Sequence, residues 1–290
     1  MNGKTNDKTL ILVQCRDAVG LVSRISHVLA ARGLNITAMR EFVDEDRQQF
    51  FARVACSTPE TGEPISDLEG LMTDLKQALP PGSNVQINPR REKKVALLVT
   101  REYHCLGDIL NRHFFNTLGA QVCCVIGNHD HLRIFTEQFS IPFHHISHEG
   151  ITPKEFETRI LETLTPYNPD YLVLAKFMRI LSPRFVKTYP ERIINIHHSF
   201  LPAFAGARPY RQAFERGVKL IGATAHFVTD DLDQGPIIVQ QTTPVNHNFT
   251  VNDMVTAGKG IEKAALSRAL QLVLQDRVFV SGNKTVVFEQ

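Results

Sequence analysis

The sequence predicts a two-domain α/β protein: an N-terminal ferredoxin-like βαββαβ domain followed by a Rossmann-like domain with a mostly parallel sheet. Three observations carry this. A chain of 290 residues suits two domains. Up to residue 88 the apolar pattern alternates between strand and helix periods in the order βαββαβ. Beyond a charged stretch at 88–94, apolar runs of strand length alternate with helical segments, the rhythm of strands covered on both faces.

In the first domain, Leu10–Gln14 reads as a strand. Asp17 precedes a helical pattern with Leu21, Ile25, Val28 and Leu29 on one face, and Gly33 after Arg32 stops it. Ile36–Val43 and Gln48–Cys56 are strand-like and joined by the charged turn Asp44-Glu45-Asp46-Arg47. A second helix fits Ile65–Leu79, with Leu68, Leu71, Met72, Leu75 and Leu79 in phase. Pro80-Pro81-Gly82 ends it, and Val85–Ile87 supplies the last strand. These limits assign 1–88 to the first domain, 89–94 to a solvated linker and 95–290 to the second domain.

In the second domain, Val95–Thr100, Ala120–Ile126, Phe143–Ile146, Tyr171–Ala175 and Ile193–His197 read as strands. Helical patterns lie between them at Cys105–Phe115, on toward Phe139, and at Pro153–Leu164. Ile221–Thr229 and Ile237–Gln241 form a later antiparallel pair, and Val251–Leu274 is a long amphipathic helix.

Lys and Arg number 32 against 30 Asp and Glu, so no global field draws in nucleic acid. The five cysteines, Cys15, Cys56, Cys105, Cys123 and Cys124, are odd in number and lack C-x-x-C spacing. That argues against a disulfide framework and a zinc site, and for a reducing compartment. The polar stretch Met1–Lys8 has no apolar signal core, and no run approaches a membrane span. A cytoplasmic location is expected.

Chemistry concentrates in Ile194-Asn195-Ile196-His197-His198-Ser199-Phe200-Leu201-Pro202, at the end of a buried strand. Ligands of open α/β sheets bind beyond strand carboxyl ends. Alternate residues share a face, so Asn195 and His197 point together while Ile194 and Ile196 point away. An amide donor beside an imidazole can polarise a carbonyl and hold an oxyanion. A strand end whose polar side chains only satisfy the backbone has the same composition. Thr229-Asp230-Asp231-Leu232-Asp233-Gln234-Gly235-Pro236 joins two strands and carries three carboxylates. Asp233 beside an imidazole can raise its pKa and shuttle protons; an acidic loop closed by a turn is the plain alternative. His226 either lines the same site or is a satisfied strand histidine. The groups His144-His145 with His148, and His129-Asp130-His131, have metal-like composition without metal-like spacing, so no metal is expected. G-x-G-x-x-G, Walker and G-x-S-x-G patterns are absent, which leaves Ser199 a weak nucleophile candidate.

Taken with Leu174-Ala175-Lys176-Phe177-Met178-Arg179-Ile180-Leu181-Ser182 and His226-Phe227-Val228-Thr229, these motifs resemble the formyltetrahydrofolate-dependent formyltransferase family over about Val95–Gln275. The resemblance implies a catalytic trio of Asn195, His197 and Asp233. It places a folate pocket on Met178, Arg179, Ile180, Leu181, Ile193, Val228 and the Asp230–Asp233 loop. The first domain resembles an ACT module, with Asp17-Ala18-Val19-Gly20-Leu21 at its first strand–helix turn and Gly33-Leu34-Asn35-Ile36 entering its second strand. That implies an effector site at Asp17, Gly20, Leu21, Asn35 and Ile36. An ACT module ahead of this catalytic domain is similar to the formyltetrahydrofolate deformylases. The implied activity is hydrolysis of 10-formyltetrahydrofolate to formate and tetrahydrofolate, supplying formate for purine synthesis and balancing one-carbon pools. No tightly bound cofactor is implied. Methionine and glycine are the implied effectors and a homo-oligomer the implied assembly, with neither nucleic acid nor membrane as partner.

Two alternatives stand beside this: formyl transfer to an amine such as glycinamide ribonucleotide, and a folate or amino-acid sensor with a degenerate site. Against transfer, Thr100-Arg101-Glu102-Tyr103-His104-Cys105-Leu106 is bulky where the transformylases carry a Gly/Ser-rich phosphate loop. Only about 15 residues follow the long helix, too few for the RNA-binding domain of methionyl-tRNA formyltransferase.

Overall fold

The computed structural model describes residues 8–58, 65, 67–88, 93–202 and 209–289. The chain divides into two compact units, Met1–Arg91 together with Phe288–Gln290, and Glu92–Val287.

The first unit runs β1 (Thr9–Arg16), α1 (Leu21–Ala31), β2 (Asn35–Asp44), β3 (Gln49–Ser57), α2 (Leu68–Ala78) and β4 (Asn84–Asn88). Its sheet has the order β2-β3-β1-β4 and is antiparallel throughout, with Val13 opposite both Ala52 and Val85. Period two sets the core face: Ile11, Val13 and Cys15 of β1 and Phe50, Ala52, Val54 and Cys56 of β3 meet the buried stripe Leu21, Ile25 and Leu29 of α1. Helix α2 begins three residues later than the pattern suggested, because Asp67 caps it by accepting from the Gly70 N–H at 2.9 Å. Asp17 is not the cap of α1. That position belongs to Gly20, and the Asp17 N–H donates to the Gln48 carbonyl instead.

The second unit runs β5 (Lys93–Val99), α3 (His104–Phe114), β6 (Ala120–Gly127), α4 (Arg133–Glu137), β7 (Phe143–His145), α5 (Pro153–Leu164), β8 (Tyr171–Leu174), α6 (Pro183–Val186) and β9 (Ile193–His197). It continues with α7 (Pro209–Arg216), β10 (Leu220–Phe227), β11 (Ile237–Pro244), α8 (Val251–Leu274), β12 (Val278–Ser281) and β13 (Lys284–Val287). Residues 89–92 of the expected linker lie outside the described residues. Lys93 and Lys94 are not linker but the start of β5, paired with Ala120 and Gln121, and the Lys94 N–H donates to Asp170 at 2.8 Å. In place of one helix reaching Phe139 there is a 3-10 turn at Asp130–Leu132 and the short α4, after which Ser140 turns left-handed.

The seven-stranded sheet has the order β11-β10-β9-β8-β5-β6-β7. Strands β5 to β9 pair in parallel, whereas β9–β10 and β10–β11 are antiparallel. The chain moves outward from β5 to β7, then restarts on the other side at β8. The strand order reverses between β5 and β8, and sheets of this kind bind ligands beyond the carboxyl ends of their strands. Both faces are covered. Leu97 and Val99 pack with Ile109, Leu110, Ala265, Leu266 and Ala269 of α3 and α8, while Ala96 and Leu98 pack with Phe156, Ile160 and Leu164 of α5. Full burial of a side chain such as Ile160 or Leu164 stabilises by about 2 kcal/mol. Helix α8 starts at a capping box, in which the Asp253 N–H donates to Thr250 Oγ1 at 3.2 Å and the Thr250 N–H to Asp253 Oδ2 at 2.8 Å.

Candidate active site

A cleft of about 500 Å³ opens beyond the ends of β8 and β9 and is bounded by the segments 174–181, 195–198 and 228–233 together with His226. Register accounts for the meeting of these segments. Asn195 lies opposite His226 across the β9–β10 pair, so both side chains emerge on the cleft face. Ile194 and Ile196 enter the core on the other face, beside α8.

The expected trio converges. His197 is buried, and its Nδ1 lies 3.2 Å from Asp233 Oδ2, so Nδ1–H donates to the carboxylate. His197 Nε2 is buried with no partner, which leaves it available to a ligand. The Asn195 side-chain amide is 3.2 Å from His226 Nε2, and His226 Nδ1 is 2.9 Å from the Phe227 carbonyl. That carbonyl requires a proton on Nδ1, so Nε2 accepts from the Asn195 amide. Burial lowers the His226 pKa and favours this neutral form. His226 thus orients Asn195 and leaves one amide hydrogen free. The hydrogen bond from His197 holds Asp233 below its ordinary carboxylate range despite partial burial. Asp233 has a left-handed backbone, φ 56°, in a loop closed by the Phe227 N–H donating to the Pro236 carbonyl at 2.9 Å. Gly235 belongs there because a Cβ would collide with the Phe227 carbonyl.

The expected pocket residues take distinct places. Met178 and Ile180 are exposed large apolar side chains on the cleft wall, joined by Arg179, Leu181, Val228 and Asp230. Asp230 faces Lys187 Nζ at 3.6 Å. Ile193 is a correction. It shares the Asn195 face but lies two residues deeper, fully buried with Leu174, Phe177 and Phe185, and does not line the cleft. Its carbonyl accepts from the Val228 N–H at 2.9 Å, so it supports the wall from behind. The 176–181 loop is pinned. The Met178 N–H donates to Thr100 Oγ1 at 3.0 Å, and buried Glu157 accepts from both the Ser182 hydroxyl and the Ser182 N–H.

Sequence reasoning missed Lys176 and His198, which also line the cleft, and the network behind them. Lys176 is buried, left-handed at φ 63°, and places Nζ 3.1 Å from Glu262 Oε2. Glu262 also accepts from His104 Nε2 and from the Tyr210 hydroxyl, both at 2.7 Å. Burial pushes Glu262 up, but the His104 bond, the Lys176 charge and the Tyr210 hydroxyl outweigh it and bring the carboxylate down to about 2. Burial, then the Lys176 and His197 charges, lower His198 to about 4, so it is neutral near pH 7. A carboxylate depressed on folding adds stability above its ordinary 4.5 and loses it as pH falls toward about 2. Glu262→Gln is therefore expected to be less stable than the parent at about pH 6. The gap should close by a large part of about 3 kcal/mol on acidification. Urea unfolding of both proteins at about pH 6 and about pH 3 checks it, and a gap independent of pH refutes it.

His144 Nε2 is 2.7 Å from the Tyr167 hydroxyl, and the His129 and His148 rings meet edge to face at 5.5 Å. Among the described residues, donor atoms of His104, Cys105 and Glu262 come within 4.8 Å of one another. Lys176 occupies the Glu262 oxygen there, which disfavours a cation. In the first unit, Asp17, Gly20 and Leu21 form the turn into α1, with Gly20 at φ 84° and Leu21 buried. Asn35 and Ile36 open β2, where the register shifts between Ile36 and Ala38.

The ACT domain model matches residues 9–76 and the formyl transferase model residues 93–270. A formyltetrahydrofolate deformylase of Haemophilus influenzae is 48% identical, covering 97% of this chain and 99% of its own. The crystal structure of a formyltetrahydrofolate deformylase from Pseudomonas syringae superposes with a TM-score of 0.89 at 38% identity, over 97% of this chain and 94% of that one. A glycinamide ribonucleotide transformylase from Symbiobacterium toebii aligns at a TM-score of 0.66 and 28% identity, covering 72% of this chain and all of its own. Full-length similarity to the first two, extending across the ACT module, shows that the chain belongs to the formyltetrahydrofolate deformylase family.

Proposed function

We propose that this chain hydrolyses 10-formyltetrahydrofolate to formate and tetrahydrofolate in the cytoplasm. The observation that carries the reading is the unpartnered, buried His197 Nε2 set between Asn195 and Asp233 in one cleft. The pterin portion docks on Met178, Ile180, Leu181 and Val228, whose apolar surfaces suit a flat ring. Arg179 and Asp230 border that pocket, and the N10-formyl group reaches Asn195 and His197. A water held by the free oxygen of Asp233 attacks the formyl carbon. Its proton passes to the Asp233–His197 pair as the C–O bond forms. The amide of Asn195 and the protonated Nε2 of His197 hold the oxyanion. Collapse breaks the bond to N10, the proton held by the Asp233–His197 pair passes to that nitrogen, and the product leaves as formate with its remaining proton released to solvent. Side chains and water supply every step.

The ACT module is proposed to bind a small amino acid, methionine or glycine, with Asp17, Gly20, Leu21, Asn35 and Ile36 at the site. A homo-oligomer fits the edge position and largely exposed side chains of β2. One experiment addresses both readings. Incubation with 10-formyltetrahydrofolate and no acceptor is expected to yield formate and tetrahydrofolate in equal amounts, at a rate that responds to methionine or glycine. Formate dependent on an added amine would establish transfer instead, and a rate indifferent to both amino acids would leave the module structural.

A further inference from the structure

We infer that Cys123 and Cys124 form a two-thiol site for oxidation by a hydroperoxide, with Cys123 as the attacking sulfur and Cys124 as the resolving one. Their chemistry is independent of the hydrolytic reading. They sit in the first half of β6, whereas the cleft opens beyond strand carboxyl ends. On a regular strand, adjacent side chains point to opposite faces. Strand β6 is not regular here. Val95 of β5 pairs with Val122 and Ala96 pairs with Cys124, so Cys123 is the extra residue of a β-bulge. Val122 packs on the side of the sheet covered by α3 and α8, while Cys123 and Cys124 both pack on the α5 side, in the cluster that includes Tyr167 and Tyr189. The bulge therefore brings both thiols to one face.

Depth and hydrogen bonding give the two sulfurs different roles. Cys124 is fully buried and Cys123 is partly exposed. The Cys124 thiol donates to Cys123 Sγ and, with the N–H groups of Cys123 and Cys124 and the Lys94 charge, holds Cys123 below the ordinary thiol range against the effect of burial. In its protonated form Cys123 Sγ donates to the Val95 carbonyl at 3.3 Å. The same thiol–thiol bond, together with burial, pushes Cys124 up, so Cys124 keeps its proton. Burial also pushes up Cys15, Cys56 (to about 11) and Cys105. The thiolate is the nucleophile, so Cys123 is oxidised first. Its sulfur attacks one peroxide oxygen: an S–O bond forms, the O–O bond breaks, and the departing oxygen takes up a proton. Cys123 is then a sulfenic acid. Cys124 Sγ attacks that sulfur, the S–S bond forms, the S–O bond breaks, and the hydroxide leaves as water with the Cys124 proton. The two thiols give up two electrons and the peroxide accepts them. Neighbouring Cα atoms lie about 3.8 Å apart, closer than the roughly 4.4–6.8 Å usual for a disulfide, so the bond formed is strained and readily reduced.

The test treats the full chain with hydrogen peroxide and follows free thiols and peptide masses. The parent is expected to lose two of its five thiols. The peptide carrying residues 123 and 124 should lose the mass of two hydrogens and regain it with dithiothreitol. Cys123→Ser is expected to slow the first thiol loss about tenfold or more, because the thiols left behind are buried and hold their protons. Cys124→Ala is expected to stop at a sulfenic acid on Cys123, trapped by dimedone. Should a variant not fold, the peptide masses of the parent decide alone. Four results overturn the inference: thiols unchanged by peroxide, first oxidation at Cys15, Cys56 or Cys105, parental thiol loss in folded Cys123→Ser, or a parent in which Cys123 passes to sulfinic acid without forming the disulfide.

Discussion

Asp233→Asn is expected to lower kcat by about a hundredfold or more with little change in KM, since the charge acts on the transition state and not on the pterin. The substitution isolates that charge. Asparagine tolerates the left-handed backbone at φ 56° as readily as aspartate does, so the loop keeps its shape. The amide can still meet His197 Nδ1 at the 3.2 Å contact, but it cannot balance an imidazolium or take a proton from water. His197 holds the native carboxylate below its ordinary 3.8, so Asp233 stays ionised across neutral pH and sets no acid limb there. Steady-state kinetics with 10-formyltetrahydrofolate decides the matter, and full turnover by the purified variant would remove Asp233 from the mechanism.

Asn195→Ala is expected to cost about 10²–10³ in kcat, the usual effect of deleting one oxyanion donor. The amide is pre-aimed: His226, fixed through the Phe227 carbonyl, takes one of its hydrogens and leaves the other for the substrate. Deletion also strands His226 Nε2 in a buried position, which carries a separate stability cost of about 1–3 kcal/mol. Comparing kcat with urea unfolding separates the two effects. A variant that unfolds earlier yet turns over at the parental rate would make Asn195 structural only.

The strands and the Asn195–His197 pair were legible because their signals are local, whereas Asp233 joined them only through the family resemblance and the strand order was not given by the sequence pattern. Alternation along β9 placed Asn195 and His197 on one face, and the apolar periods gave α5 and α8 limits that the structure closes with the caps Thr152 and Thr250. Helix α7 buries little more than Tyr210 and Ala213, too few positions for a period to register, and the β12–β13 hairpin is made of strands of four residues. Ile193 was misplaced because strand alternation gives the face of a side chain, not its depth. The Glu262 network stayed hidden because its members are far apart in the chain. One signal was available. Glu262 falls on the buried stripe of α8 with Gly258, Ala265, Leu266 and Ala269, where an acidic side chain must find a partner.

The 176–182 loop, proposed above to seat the pterin, is held at both ends by buried glutamates, Glu262 through Lys176 and Glu157 through Ser182. A socket fixed before its ligand arrives loses little conformational freedom on capture. Affinity for the folate then reflects surface complementarity and desolvation, with a minimal entropic toll for loop ordering. The same stiffness makes recognition unforgiving, because a pteridine of altered outline meets walls that cannot readjust around it.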